Sequence, residues 1–136
     1  MSKKTIGTGI EEATILTPCD YGVPIKSIQK WRDRLTEVKS RRPLCIVSNW
    51  TYWDIEYSEK DIATLKEEDF LPAAIFSENL IWDEQKRWPP GYCVKSTWLK
   101  TFELNCIFHT KNTSYLLVGP GTRFSISPAT FNSFHF

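Results

Sequence analysis

From Pro72 to Ser127 the chain presents one strand pattern after another, separated by short breaks, and this succession constrains the fold more than any other feature. "AAIFSENLIWDE" is the first strand. "QKRWPPG" ends it, because two prolines and a glycine fit poorly inside a hydrogen-bonded ladder. "YCVKSTWLKTFE" reads as the next. "LNCIFHT" and "SYLLVG" follow, joined around "KN" as a hairpin. "RFSIS" alternates, with Phe124 and Ile126 inward and Ser125 and Ser127 outward. Consecutive strands with short connections favour an antiparallel meander. "YLLV" is apolar on both faces, which places it centrally.

Upstream, "VPIKSIQKWRDRLTEVKSRR" has helical periodicity. Ile25, Ile28, Trp31, Leu35 and Val38 recur at spacings of three and four, Pro24 suits a first helical position, and Pro43 stops the run. "LCIVSNW" continues into "TYWDIEY" as a strand. Ser58 is placed to cap a short helix, with Glu59 and Asp61 in its first turn and Ile62 and Leu65 as its buried contacts. The expectation is an α+β domain: a mainly antiparallel sheet of about five strands, one long N-terminal helix packed on one face, and a second short helix. Its parts are an irregular arm (1–22), a helix (23–42), a sheet (43–127) with the short helix near 58–69, and an aromatic tail (128–136).

A chain of 136 residues suits one domain and can bury a core without metal or disulfide support. Six Trp, eight Phe and five Tyr point to an aromatic core. The first residues lack the apolar run of a signal peptide, and no stretch approaches a membrane helix, so the expected location is cytoplasmic with Cys19, Cys45, Cys93 and Cys106 reduced. Net charge is only +1, which removes a global pull on nucleic acid. Locally the charge is segregated. Residues 26–42 hold seven basic and two acidic side chains; residues 54–69 hold seven acidic and two basic.

"GPGTR" (119–123) resembles a phosphate-binding loop only superficially. It lacks the lysine that such a loop needs, its proline removes an N–H, and "TRFSIS" after it has strand periodicity. Pro120 followed by Gly121 instead suits a type II turn between Gly119 and Thr122. Cys106 and His109 lie three apart, which on a strand points them to opposite faces, so no metal or cofactor is expected. Ser96 and Cys93 are conceivable nucleophiles, but no catalytic signature surrounds them, and the chain has only two histidines, His109 and His135. Asp54, Glu56 and Glu103 are carboxylates that could meet in space, but nothing singles them out.

"VKSTWLKTF" (94–102) followed by "CIFHTKNTSYLLVGPGTR" (106–123) resembles a family of small bacterial and prophage-encoded proteins of unknown function. Val94, Lys95, Ser96, Thr97 and Leu99 match its first stretch. Phe108, Thr110, Asn112, Thr113, Tyr115, Leu117, Gly119 and Gly121 match its N-T-x-Y-x-L-x-G-x-G hairpin. The matching stretches cover about a fifth of the chain. The resemblance implies a bacterial or mobile-element origin and action by binding another protein. Together these features lead to a non-enzymatic inhibitor of a nuclease, toxin or defence complex, of the anti-defence or toxin-immunity type. Its expected contact residues are Trp53, Asp54, Glu56, Tyr57, Glu59, Asp61, Glu67, Glu68 and Asp69, aromatics among carboxylates. The alternative is a nucleic-acid-binding module using Lys26, Lys30, Arg34, Arg41 and Arg42. A small enzyme with a carboxylate site is the third reading.

Overall fold

The computed structural model describes residues 17–39 and 41–134. In chain order the elements are β1 (Thr17–Cys19), a 3-10 turn (Ile25–Ser27), α1 (Ile28–Thr36), β2 (Leu44–Ile55), α2 (Glu59–Glu67), β3 (Ala73–Asp83), β4 (Val94–Lys95), β5 (Thr101–Glu103), β6 (Ile107–His109), β7 (Ser114–Leu117), β8 (Gly121–Ile126) and α3 (Pro128–Ser133). The expected irregular arm lies outside the described residues over 1–16; β1 occupies part of the remainder.

β2 organises the sheet. Its run of β-branched, aromatic and leucine residues is buried along nearly its whole length, as expected of a strand covered on both faces. One edge pairs antiparallel with β3 from Cys45↔Asp83 to Asp54↔Ala73. The other edge pairs parallel with β7 from Leu44↔Ser114 to Val47↔Leu117, then parallel with β8 from Thr51↔Thr122 to Ile55↔Ile126. Among the described residues the sheet is therefore mixed and eight-stranded, in the order β1-β8-β2-β7-β6-β5 with β3 and β4 on the remaining edge of β2. The class is α+β, but the expected five-stranded antiparallel meander is corrected. Short connections predict antiparallel neighbours only where the chain reverses, and between β7 and β8 it does not.

That connection is "GPG". β7 and β8 run in the same direction along β2, so Val118–Pro120 is a local irregularity within one continuing path and not a hairpin turn. The offset to β2 changes by one residue across it, from 44↔114 to 51↔122. Positive φ falls on Gly119 (72°), whereas a type II turn would need it at Gly121. Gly121 is constrained for another reason. A Cβ there would stand 2.5 Å from both the Trp50 ring and the Trp50 carbonyl oxygen. Trp50, 1% exposed, donates its indole N–H to the Gly119 carbonyl at 3.0 Å. The two glycines thus let a tryptophan lie across the path. On β2 itself Asn49 takes φ 49°, and side-chain alternation switches there: Cys45 and Val47 share a core cluster with Trp50 and Tyr52.

One face of the sheet carries α1 against Leu44, Ile46, Ile107 and Leu116, through Ile28, Trp31 and Leu35. Further along, α3 lays Phe131 on Trp53, Ile55 and Ile126. The opposite face encloses its own cluster of Trp50, Tyr52, Ile75, Phe108, Tyr115 and Leu117, with Tyr21 stacked on Trp50 and Phe102 packed edge-on against Tyr21 and Tyr52. This enclosure needs the sheet to curl, and residues 96–100 join its two sides. Leu99 N–H donates to the Ala73 carbonyl on β3, while the next residue, Lys100, donates to the His109 carbonyl on β6. Buried Ser96 accepts from Ile75 N–H at 2.9 Å and donates to the Thr97 carbonyl at 2.7 Å. Lys95 Nζ donates to the Phe131 and Phe134 carbonyls at 2.6 and 2.8 Å, tying α3 down by its C-terminus.

The long helix over 23–42 is also corrected. The helical turns cover Ile25–Thr36 only, and Pro24 precedes them with extended ψ (146°). Ile25 and Val38, the outer members of the expected stripe, are 72% and 58% exposed. Only Ile28, Trp31 and Leu35 meet the sheet. At the end of α1, the Thr36 hydroxyl turns back to the Arg32 carbonyl at 2.7 Å, a bond that competes with helical propagation. The aromatic tail docks as α3, capped by Ser127 through a bond from Thr130 N–H and started by Pro128.

Candidate functional site

α2 leaves β2 at Ile55 and returns to β3 at Ala73. Its N-terminus is the one expected: Ser58 Oγ accepts from Asp61 N–H at 3.1 Å, and Glu59 and Asp61 lie in the first turn. Its C-terminus closes through Asp69 in the left-handed region (φ 63°), with Asp69 N–H on Lys66 O and Phe70 N–H on Leu65 O, the paired bonds of a Schellman ending. Leu65 is the one buried residue of this helix. Ile62, expected inside, is 37% exposed.

The acidic side chains of Glu59, Asp61, Glu67, Glu68 and Asp69 are all exposed, as is Glu56 before them. Among the described residues none of these carboxylates makes an ion pair; the ion pairs are Arg41–Glu84, Arg87–Asp83, His109–Glu103 and Arg123–Asp54. The base of α2 is aromatic. Trp98 donates its indole N–H to the Tyr57 hydroxyl at 3.0 Å and packs edge-on against Phe70 at 5.5 Å. Lys100 lies over the Phe70 ring and holds the Glu68 carbonyl at 2.7 Å. Leu71, beside Phe70, is 48% exposed. The result is a negatively charged helix with an apolar border fixed by ring contacts.

Two of the expected contact residues are elsewhere. Trp53 is 3% exposed, stacked on Phe76 and covered by Phe131. Asp54 receives both arms of Arg123, at 2.8 and 2.9 Å. Arg123 also lies over Tyr52 and donates to the Tyr21 hydroxyl, which ties it into the sheet. Ile62, Leu71 and Trp98 join the border without being among the contact residues expected from the sequence. The signal for the first is in the sequence: a nine-residue helix with only two large apolar side chains, Ile62 and Leu65, has little to bury.

The basic segment lies toward the other end of β2, a strand of twelve residues that spans about 36 Å at roughly 3.3 Å per residue. Lys26, Lys30, Arg34 and Arg42 are exposed. Arg41 is held by both oxygens of Glu84 at 2.6 and 2.7 Å. That hydrogen bond holds the Glu84 carboxyl below its ordinary pKa against the opposing effect of burial, with Leu44 N–H adding to it. Cys45 is buried, and burial pushes its thiol up to about 12; Cys93 is exposed. No helix among the described residues is long and apolar enough to cross a membrane.

The residues that carry the family resemblance are mostly structural: Val94, Ser96, Leu99, Phe108, Thr110, Thr113, Tyr115 and Leu117 are buried. No curated protein and no solved structure matches the chain. One family does, over residues 21–133, which runs from the last residues before α1 to the end of α3. The chain belongs to DUF6957, a family defined by a domain of unknown function.

Proposed function

We propose that the chain works by binding another protein through the α2 face, and that the contact inhibits the partner. The observation that carries this reading is the set of five exposed carboxylates without an internal cation among the described residues, set beside exposed Ile62 and Leu71. Unpaired surface charge adds little to folding, but it steers and orients a partner of opposite charge. The Tyr57–Trp98–Phe70 cluster supplies rigid aromatic anchors of the kind that dominate interfaces. The fitting partner is a protein with a Lys- and Arg-rich surface. Nucleases have such surfaces because they hold phosphates, which agrees with a nuclease, toxin or defence complex. The resemblance to small bacterial and prophage-encoded proteins supports a mobile-element origin and a cytoplasmic location.

The test is co-purification and inhibition with candidate nuclease, toxin and defence complexes, comparing the native chain with E67K/E68K combined with I62A/L71A. Native protein captures and inhibits at least one complex, and the variant loses both effects. Equal capture by the two proteins would end the proposal.

A second reading rests on its own observation, the exposed Lys26, Lys30 and Arg34 on the α1 side. It predicts salt-dependent binding of single-stranded or duplex nucleic acid that K26E/K30E/R34E abolishes. Absence of binding at low salt rules it out. Arg41 contributes little to this surface, since Glu84 occupies its guanidinium.

A further inference from the structure

At the α1 end of the sheet, far from α2, three polar side chains from three neighbouring strands form one chain of hydrogen bonds. Ser114 on β7 stands directly opposite His109 on β6, and its Oγ is 2.7 Å from His109 Nδ1. Glu103, on β5, reaches His109 Nε2 with Oε1 at 2.8 Å. An ionised carboxylate only accepts, so Nε2 carries the ring proton and donates it to Glu103. Nδ1 is then left as an acceptor, and the Ser114 O–H donates to it. This is a hydroxyl, a base positioned to take its proton, and a carboxylate that orients the base, the arrangement that activates a nucleophile.

A cross-strand Ser–His pair can be a sheet contact and nothing more. Here two further facts bear on it. The three side chains open onto one cavity of about 270 Å³, lined also by apolar Leu35, Val38, Leu44 and Ile107. Arg42 lines the same cavity; its Nε donates to the Lys111 carbonyl at 3.3 Å, while its terminal nitrogens have no hydrogen bond among the described residues. An apolar pocket with a few convergent polar groups is the usual form of a small-molecule site.

We propose that Ser114 is the nucleophile of an acyl-transfer site for a small carboxylic ester with an apolar acyl group. Ser114 Oγ bonds to the ester carbonyl carbon as its proton passes to His109 Nδ1. The carbonyl electron pair moves onto oxygen, facing the Arg42 charge. Collapse of the adduct breaks the carbon–alkoxy bond, and the departing alkoxide takes the proton from His109. Water then attacks the acyl-serine, giving its proton to His109, which returns it to Ser114 as the acid leaves. One ester and one water give one acid and one alcohol. Ser114 and His109 are the catalytic residues; Glu103 is a positioning residue. This site is independent of the α2 face, and failure of one leaves the other standing.

The experiment is labelling of the purified full chain with a fluorophosphonate probe, located by peptide mass spectrometry, alongside hydrolysis of 4-nitrophenyl butyrate. Label falls on Ser114, and Ser114→Ala removes both label and turnover with an unchanged melting curve. His109→Gln lowers the labelling rate by about 100-fold or more, in line with loss of a positioned base. Glu103→Gln lowers kcat with little change in KM and alters the pH profile of labelling, which a purely structural role would not do. Should Ser114→Ala fail to fold, the His109 variant and the labelled site in the native chain still decide. No label, or label on a different residue, overturns the proposal.

Discussion

The glycine seam at Val118–Gly121 and the helix α2 differ in how their polar groups are used. In the seam, Trp50 N–H meets the Gly119 carbonyl, Gly119 N–H meets Val23 O, and Val118 N–H meets Val47 O. Each of these partners is backbone or a fully buried ring. On α2 the backbone ends are equally well closed, by Ser58 and by the Schellman bonds, but the carboxylates are left to water. Both stretches look like functional motifs in the sequence. The difference teaches that an unusual composition marks function only where the structure leaves its groups without internal partners.

The sharpest test of the seam is Gly121→Ala. The added Cβ meets a backbone oxygen as well as the Trp50 ring, so a rotamer change alone cannot relieve it. A loss of about 3 kcal/mol is expected, the upper part of the usual range for overpacking. Urea unfolding monitored by tryptophan fluorescence measures it. A change below about 1 kcal/mol would show that the seam yields easily and that its glycines are not required by packing.

Asp83 extends the comparison to a buried charge that is fully engaged. Its side chain is 1% exposed and accepts from Arg87 N–H, both Arg87 guanidinium arms and Gln85 N–H. Burial pushes the carboxyl up, but the bonds from Arg87 and Gln85 outweigh this, leaving its pKa below the ordinary value. A depressed folded pKa means the stabilisation is fully present above the unfolded value of about 3.9 and is lost as pH falls through the folded value. Asp83→Asn therefore costs about 2 kcal/mol near neutral pH, the scale of hydrogen bonds to a charged group. The gap between native and variant unfolding free energies should close in acid below about pH 4. A gap independent of pH would mean that the charge of Asp83 contributes nothing.

Local chemistry made several of these elements readable in advance. Ser58 and Asp61 cap α2 as their spacing implies, the "KN" hairpin forms between β6 and β7, and "YLLV" is buried throughout. What was not readable depends on direction and register. "GPG" has the composition of a turn, and only the parallel pairing of both β7 and β8 with β2 shows that the chain goes straight on. The same holds for Glu103, His109 and Ser114. They are unremarkable singly and come together because two tight hairpins, with Leu104 and Asn105 both at φ 54° in the first, fix which residues face each other. The "KN" hairpin is legible in the sequence, and counting its register outward puts His109 opposite Ser114. For the basic segment, periodicity exceeded the helix because Ile25 and Val38 match the stripe but extend beyond the sheet surface that α1 covers.

The smallest effect on stability, and the most discriminating, is expected from E67K/E68K/D69N in α2. All three positions are exposed at the helix C-terminus, where positive charge is favoured by the helix dipole. Asn tolerates the left-handed backbone of position 69 about as well as Asp. Unfolding free energy should shift by less than about 0.5 kcal/mol, as for other surface changes away from buried features. Association with a basic partner should nevertheless weaken at least tenfold, because each reversed charge replaces attraction by repulsion across the contact. Gly121→Ala lowers binding only by unfolding the chain, so its effect disappears once binding is normalised to the folded fraction. The α2 variant shows the opposite pattern, full folding with lost binding. If its stability instead falls in step with its binding, the carboxylates hold the helix in place and the α2 face is part of the scaffold, as the glycine seam is.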